Sequence, residues 1–427
     1  MGEQFKSKVS FIMTAIGAAV GLGNIFRFPS LAMKYGVIYI IIYIPALMIM
    51  GLPLLMNELA LGRHYRGSAV SSMKKVNHRF GFIGWLGVGN SFLIMTYYCL
   101  LFSFVFLATV FSFKIAGAKV SSASSIFANY IGGGIDAIPL LFLIASWAAV
   151  MLCFGKAERL GFISTASVIF ASVTLALLAL FRALNHPDAL AVFLRLDLSP
   201  LFSGRFWADL LGQVFFSLSV MVGVMISFGS FLSGKESIAS CSIIIALFDL
   251  FISLCATVIY ATIVGAEQVD SMLTCFSVYP QAFREISESG AVSAIVAFLF
   301  YLSLGLLCLD SVFSYLKSVS GALSETAGLS EEKVALGLSV AAFVVGVFML
   351  GNSRLIDAVD GFTARYSLVL TGIAELLVFG FALKPRTLLE EINKGGIFKY
   401  PATLFSVSVK FLSPLVLLFL ILSELFF

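Results

Sequence analysis

Charge is what this chain has least of. Only 12% of its 427 residues are Asp, Glu, Lys or Arg, about half the roughly 25% of a soluble domain, while 60% are hydrophobic and the mean hydropathy is +1.04. That scarcity excludes a water-soluble globular protein. Histidine is nearly missing as well, with His64, His78 and His186 alone and all in segments read as loops. The six cysteines, Cys99, Cys153, Cys241, Cys255, Cys275 and Cys308, show no metal-ligand spacing and read as small packing residues. There is no phosphate-binding loop, no paired Cys/His cluster and no triad of nucleophile, base and acid, so enzyme chemistry has nothing to stand on. The expectation is a protein that is not an enzyme. The segments 114–135, 184–205 and 266–289 are each too small for a soluble domain, and no low-complexity tail is present. No cleavable leader is expected, because the first apolar segment runs into Arg27 and Pro29 without a small-residue cleavage site.

What the chain does have is apolar runs. A hydrocarbon core about 30 Å thick takes about 20 apolar residues per helix, and eleven such spans are expected at 9–34, 37–61, 83–113, 136–154, 160–183, 206–232, 238–265, 290–316, 333–351, 356–383 and 402–426. The sparse positive charge orients them. Arg63, Arg66, Lys74, Lys75 and Arg79 follow the second span, and Lys384, Arg386, Lys394 and Lys399 follow the tenth. Both loops fall on one side if the spans alternate, and Lys6 and Lys8 join them. Short basic loops stay cytoplasmic, which predicts a multi-pass protein of the cell (inner) membrane, surrounded by lipid, with its N-terminus inside and its C-terminus outside. The net charge of +4 reads as a topology signal and not as a nucleic-acid site.

Two spans contain residues that a membrane helix should avoid. The first carries "AAVGLGNIFRFPS", and the sixth reads "GQVFFSLSVMVGVMISF" with Gln213, Ser217, Ser219 and Gly223 in mid-run. Glycine permits unwinding, and interruptions at corresponding places in two halves point to a mid-membrane binding site where helix ends and freed carbonyls hold substrate and ions. For any one of these glycines, close helix packing is the plainer explanation. Asn24 with Arg27 is harder to explain that way. Asp249, Asp310 with Ser311, and Tyr97 with Tyr98 are further polar insertions. A mid-bilayer carboxylate is costly unless protonated or paired, and no Lys or Arg accompanies either aspartate in its span. A hard cation held by oxygen ligands, a proton, or a hydrogen bond to a neighbouring helix would each satisfy them.

These residues carry a resemblance. "EQFKSKVSFIMTAIGAAVGLGNIFRFP" resembles the first-span signature of the neurotransmitter:sodium symporter family, and "GLPLLMNELALGR", "GQVFFSLS", "LDS" and "EEINKGGIFKYP" are similar to its later markers, in order, over nearly the whole chain. The resemblance implies a bacterial sodium-dependent amino-acid transporter of the eleven-span type. Its fold would be an all-α integral membrane protein of two inverted five-helix repeats, residues 1–183 and 184–383, with broken first and sixth helices. A loop and one extra helix over 384–427 would follow. The resemblance further implies two sodium ions, one held by the carbonyls of Gly17, Val20 and Leu307 with the side chains of Asp310 and Ser311. The other would be held by the Ala19 carbonyl, Asn24, Ser217, Asp249 and the substrate carboxylate. The implied substrate site comprises Ala18, Ala19, Gly21, Leu22, Gly23, Ile94, Tyr98, Phe216, Ser217, Ser219, Val222, Ser311 and Tyr315. Relatives that carry monoamines place an aspartate where Gly21 stands, so its absence favours an amino acid. The implied gates are Arg27 with Asp360, Phe216 as lid, Gln213, and Glu325 on the inner side.

The chain departs from the family pattern at several places. Met221 and Val222 stand where glycine and an aromatic residue are common, Ala166 stands at a fifth-span proline, and Gly2 stands at the arginine that pairs with the Glu325 position. Lys6 or Lys8 is then a candidate partner for Glu325. Tyr43, Gln213, Ser217 and Ser253 match the chloride ligands of animal members, but Asp249 replaces an asparagine. Its fixed negative charge would repel chloride, and chloride-independent transport is expected. Sodium-coupled amino-acid import by alternating access is the leading expectation. Transport of betaine, an amine or a γ-amino acid, or a non-transporting membrane sensor of the same fold, are the alternatives. The oligomeric state is not legible.

Overall fold

Backbone without access to water must satisfy its own hydrogen bonds, which restricts a membrane-spanning chain to helices or a closed barrel. The computed structural model uses helices alone among the residues it describes, which are 8–117, 136–154, 157–264, 279, 283, 286, 290–383, 385–396 and 399–426. The first span is a bent pair, α1 (Lys8–Ala19) and α2 (Gly23–Tyr35), meeting at 54°. There follow α3 (Val37–Tyr65), a short α4 (Ala69–Val76), α5 (Gly81–Gly117), α6 (Ala137–Cys153) and α7 (Ala157–Asn185). The second half opens with the short α8 (Pro187–Phe193) and repeats the break, with α9 (Gly204–Ser217) and α10 (Val224–Phe231) separated by six non-helical residues, 218–223. Then come α11 (Ile238–Val264), α12 (Gly290–Ala327), α13 (Glu331–Met349), α14 (Ser353–Ala382), a short α15 (Pro385–Ile392) and α16 (Ala402–Leu422).

Each of the eleven expected spans has a helix or a broken pair at its place. By length and composition eight of the described helices can cross a membrane, and the α1–α2 pair makes nine. The count of eleven adds α6, of 17 residues, and the broken α9–α10. Two helices run past their expected ends. Apolarity fades after 316 and after 61, yet nothing there breaks a helix until Gly328 (φ +68°) and Arg66 (φ +52°) adopt left-handed caps.

The apolar surplus faces outward. Leu141, Phe162, Leu177, Phe348 and Leu415, on α6, α7, α13 and α16, are each more than 60% exposed, as side chains in contact with lipid tails would be. The interior is where polar side chains collect. Asn24, Asn57, Glu58, Gln213, Ser217, Asp249, Asp310 and Glu375 are all 1% exposed or less. Three long-range contacts place the N-terminal end of α1, the end of α3 and the loop after it, the end of α10 and the loop after it, and α15 at one end of the molecule. They are Arg63 Nε to Glu391 Oε1 at 2.6 Å, Arg66 Nη1 to the Ser230 carbonyl at 2.8 Å, and Lys8 Nζ to Glu236 Oε2 at 3.9 Å. The basic loops after the second and tenth spans therefore do share a side.

Candidate functional site

The break in the first span is made from its own sequence. Glycines 17, 21 and 23 lower the cost of leaving the helix, and the N–H groups freed at the break find side chains. Gly21 N–H donates to Asn24 Oδ1 at 3.0 Å, and Leu22 N–H donates to Tyr98 Oη at 2.7 Å. Gly21 is also a steric requirement, because a Cβ there would lie 2.4 Å from Tyr98 Oη and 3.1 Å from Ser311 Oγ. The break in the sixth span is more strained. Ser219 and Met221, neither of them glycine, have φ of +51° and +65°, and Gly223 has +71°. A left-handed non-glycine residue costs roughly 1–3 kcal/mol. Ser219 Oγ donates to the Ala18 carbonyl at 2.8 Å, so the two breaks face each other.

Two groups of oxygens flank this meeting point. In the first, Asn24 Nδ2 is surrounded by Ser217 Oγ at 3.0 Å, Asp249 Oδ1 at 2.6 Å, the Asp249 carbonyl at 3.3 Å and Ser253 Oγ at 2.9 Å. Ser217 Oγ also lies 2.6 and 2.7 Å from the two Asp249 carboxylate oxygens. In the second, Asp310 is fully buried. Its Oδ1 accepts from Ser164 Oγ at 2.8 Å, and among the described residues its Oδ2 has no hydrogen-bond partner. That oxygen occupies the space a side chain on Gly17 would need, 1.7 Å from where a Cβ would stand. Ser311 Oγ lies 3.3 Å from the Gly17 carbonyl and 3.1 Å from the Leu307 carbonyl. A buried carboxyl oxygen without a donor, among carbonyls and a hydroxyl, has the chemistry of a hard-cation site.

The sodium:neurotransmitter symporter family model matches residues 2–125 and 130–426. The chain belongs to that family. This symporter is 25% identical over 418 residues to an uncharacterized sodium-dependent transporter of Methanocaldococcus jannaschii, covering 92% of this chain and 84% of that one. It is 29% identical over 307 residues to the mouse sodium-dependent neutral amino acid transporter B(0)AT3, covering 64% of this chain and 49% of that one. Among solved structures, MhsT in complex with L-phenylalanine superposes with a TM-score of 0.90 at 23% identity, over 99% of this chain and all of MhsT. The symporter thus has the fold of that transporter.

The structure brings several of the expected substrate residues into contact, Gly21 and Leu22 with Tyr98, and Ala18 with Ser219. Tyr98 and Tyr315 pack edge to face with ring centres 5.9 Å apart. Phe216 lies against Gly23, its Cε1 2.9 Å from where a Cβ would be. Ala18, Ala19, Ile94, Ser219 and Val222 are buried. Val20, where α1 ends, keeps its N–H on the Ile16 carbonyl at 2.6 Å. On the side away from Lys8, Arg27 Nη1 lies 3.7 Å from Asp360 Oδ2, and the guanidinium sits 5.2 Å over the Phe216 ring. Tyr97 Oη donates to Asp360 Oδ1 at 2.9 Å, a partner the sequence reading did not assign.

Other expected residues are placed differently from their anticipated contacts. Gln213 turns its amide nitrogen to the Gly23 carbonyl at 3.2 Å. Of the four chloride-site matches, Ser217 is engaged by the Asp249 carboxylate and Ser253 Oγ donates to the Asp249 carbonyl at 2.9 Å, while Tyr43 Oη and Gln213 Oε1 have no hydrogen-bond partner among the described residues. Lys8 pairs with Glu236 and not with Glu325; Gly2, Lys6 and Cys275 lie outside the described residues. Glu325 instead accepts from Ser68 Oγ at 2.6 Å and Ser68 N–H at 3.2 Å at the start of α4, beside a cavity of 520 Å³ also lined by Ser227, Lys317 and Glu331. A short polar residue capping a helix offers Glu325 a donor that needs no arginine. α7 runs unbroken through Ala166, as expected where the helix-breaking proline is absent.

Four residues that contact the sixth-span break or the Asp310 carboxyl went unassigned. Ser164 on α7 holds Asp310, and Glu58, Asn90 and Ser91 hold the sixth-span break. An amide or acid inside an apolar run is a signal in itself, and Asn90 and Glu58 carry it.

Proposed function

We propose that this symporter imports an amino acid by alternating access, driven by two sodium ions and without a requirement for chloride. The observation that carries the reading is the buried, partnerless Asp310 Oδ2 set against Gly17, beside the Ser311 hydroxyl and the Gly17 and Leu307 carbonyls. These atoms, with the Val20 carbonyl, would hold one ion. The second would sit among Ser217, Asp249, the Ala19 carbonyl and Asn24, after the Asn24 amide turns its oxygen inward. The substrate carboxylate would complete that shell, held by the N–H groups of Leu22 and Gly23 and by Tyr98. Sodium and substrate would then bind reciprocally. One sodium ion moving down 100 mV releases about 2.3 kcal/mol, so two ions support steep accumulation.

The substrate is a neutral amino acid with an apolar side chain. Gly21 leaves no room for an acidic group that would pair with an amine, and Val222 and Ile94 wall the pocket. Asp249 takes the Ser217 hydroxyl that a chloride would need, which favours chloride independence. The mouse transporter's name and the phenylalanine bound to MhsT point to the same substrate class. The two five-helix halves, 1–183 and 184–383, would rock against each other around this site, with 384–427 appended. The shared end of the basic loops would face the cytoplasm from the inner membrane. Nothing in this cycle is a chemical step, and none is proposed.

Uptake of labelled amino acids into proteoliposomes, with sodium outside against choline outside, tests the reading. Sodium-dependent accumulation of at least one neutral amino acid is expected. Equal uptake in the two media for every amino acid would refute it.

A further inference from the structure

The strained strand between α9 and α10 does not hold itself. Both backbone groups of Met221 are taken by side chains from other helices. Its N–H donates to Glu58 Oε1 on α3 at 2.6 Å, and its carbonyl accepts from Asn90 Nδ2 on α5 at 3.0 Å. The next carbonyl, of Val222, accepts from Ser91 Oγ at 2.5 Å. Asn90 is in turn fixed by α14, with Nδ2 3.0 Å from Thr371 Oγ1 and its Oδ1 accepting from Ser367 Oγ. The Met221 side chain lies against Gly372 of α14, filling the space a Cβ there would need. All four of Glu58, Asn90, Ser91 and Thr371 are 1% exposed or less.

Behind Glu58 stands a second buried acid. Among the described residues Glu58 Oε2 and Glu375 Oε2 have no hydrogen-bond partner, so Glu58 spends its other oxygen, Oε1, on Met221 N–H. One helix-interior carboxyl, one amide and one hydroxyl thus converge on three backbone groups of the neighbouring residues Met221 and Val222, two residues beyond Ser219, whose hydroxyl reaches the first break at the Ala18 carbonyl.

We infer that Asn90, Ser91 and Glu58 are positioning residues of the substrate site: they fix the Ser219–Gly223 segment, and so set which amino-acid side chain the pocket wall accepts. This rests on the amino-acid reading above. Their hydrogen bonds go to Met221, Val222 and α14 and not to the two oxygen groups around Asp310 and Asn24, so their effect falls on selectivity and not on the ion shells.

The test measures kcat/KM for sodium-driven uptake of L-alanine, L-leucine and L-phenylalanine by reconstituted wild type and variants. Loss of one buried hydrogen bond is expected to move the ratio between the largest and smallest of these substrates by about fivefold to tenfold. Ser91→Ala and Asn90→Ala should show this through KM with little change in kcat. Ser91→Thr, which keeps the hydroxyl, should stay within about twofold of wild type. Glu58→Gln, which keeps an oxygen to accept from Met221 N–H, should behave like wild type, whereas Glu58→Leu should behave like Ser91→Ala. A fall in transport that is equal for all three substrates, or ratios that do not move, overturns the inference, because a merely structural defect lowers the active fraction without altering selectivity. If Asn90→Ala does not reach the membrane, the Ser91→Ala and Ser91→Thr comparison decides alone. Wild type that transports none of the three in sodium overturns the amino-acid reading together with the inference; unchanged ratios in a transporting protein overturn the inference alone.

Discussion

Replacing Asp310 by asparagine should raise the stability of the sodium-free protein and remove most of the sodium response that comes from the ion site at Asp310, leaving that of the site at Asp249. The side chain is fully buried, its Oδ1 is held by Ser164 at 2.8 Å, and its Oδ2 has no donor. Asparagine keeps the shape and the acceptor for Ser164 but removes the charge. An uncompensated buried carboxylate costs several kcal/mol, so without sodium Asp310→Asn should melt higher than wild type. With sodium the sign reverses. A cation about 2.4 Å from a carboxylate oxygen is attracted by about 7 kcal/mol at an effective dielectric of about 20, most of it offset by desolvation of ion and acid. Losing a net of about 2.7 kcal/mol weakens binding about a hundredfold. If wild type binds with a dissociation constant of about 1 mM, sodium at about 100 mM stabilises it by about 2.7 kcal/mol and the variant by only about 0.4 kcal/mol. Thermal unfolding of the detergent-solubilised protein over a sodium series, with choline holding ionic strength constant, reads both effects. An equal sodium-dependent shift in Asp310→Asn and wild type would falsify the assignment of Asp310 as an ion ligand.

Three other substitutions probe the rest of the site. Gly21→Ala puts a methyl group 2.4 Å from Tyr98 Oη; overpacking of this kind costs about 1–3 kcal/mol, so labelled substrate should bind at least about fivefold more weakly, and unchanged affinity would rule out a pocket at this break. Asp249→Asn removes the charge beside Ser217, and uptake should become chloride-stimulated when chloride is compared with gluconate; wild-type uptake that collapses in gluconate would contradict the chloride reading. Arg27→Ala removes the ion pair to Asp360 and the contact over Phe216, together worth about 1–2 kcal/mol, so bound substrate should leave about fivefold to thirtyfold faster in stopped-flow dilution. No acceleration would mean that this side is not closed by Arg27.

The apolar runs at 9–34 through 402–426 were readable as spans because hydrophobic length is a local property, and the glycines of "AAVGLGNIFRFPS" marked the first break for the same reason. Asp249 and Asp310 stood out since a carboxylate in an apolar run is costly wherever it ends up. Helix ends were less legible, because polar residues after 316 and 61 signal the end of an apolar surface and not the end of a helix, which continues until a left-handed cap. The inner-side partner of Glu325 was not readable at all. Lys8 is close in charge and position, yet the fold sets it beside Glu236 and gives Glu325 the Ser68 hydroxyl.

By itself the sequence determined that this chain crosses a membrane many times, that its first and sixth spans are interrupted, and that its buried acids need partners. Only the tertiary structure decided who those partners are. Ser164 meets Asp310 across 146 residues, Glu58 meets Met221 across 163, and Asn90 meets the same residue across 131. Hydropathy and helix-breaking act over a single turn or span, so they leave their mark in consecutive residues. A hydrogen bond between helices depends on how those helices are packed and rotated, and that is set by all of their contacts together.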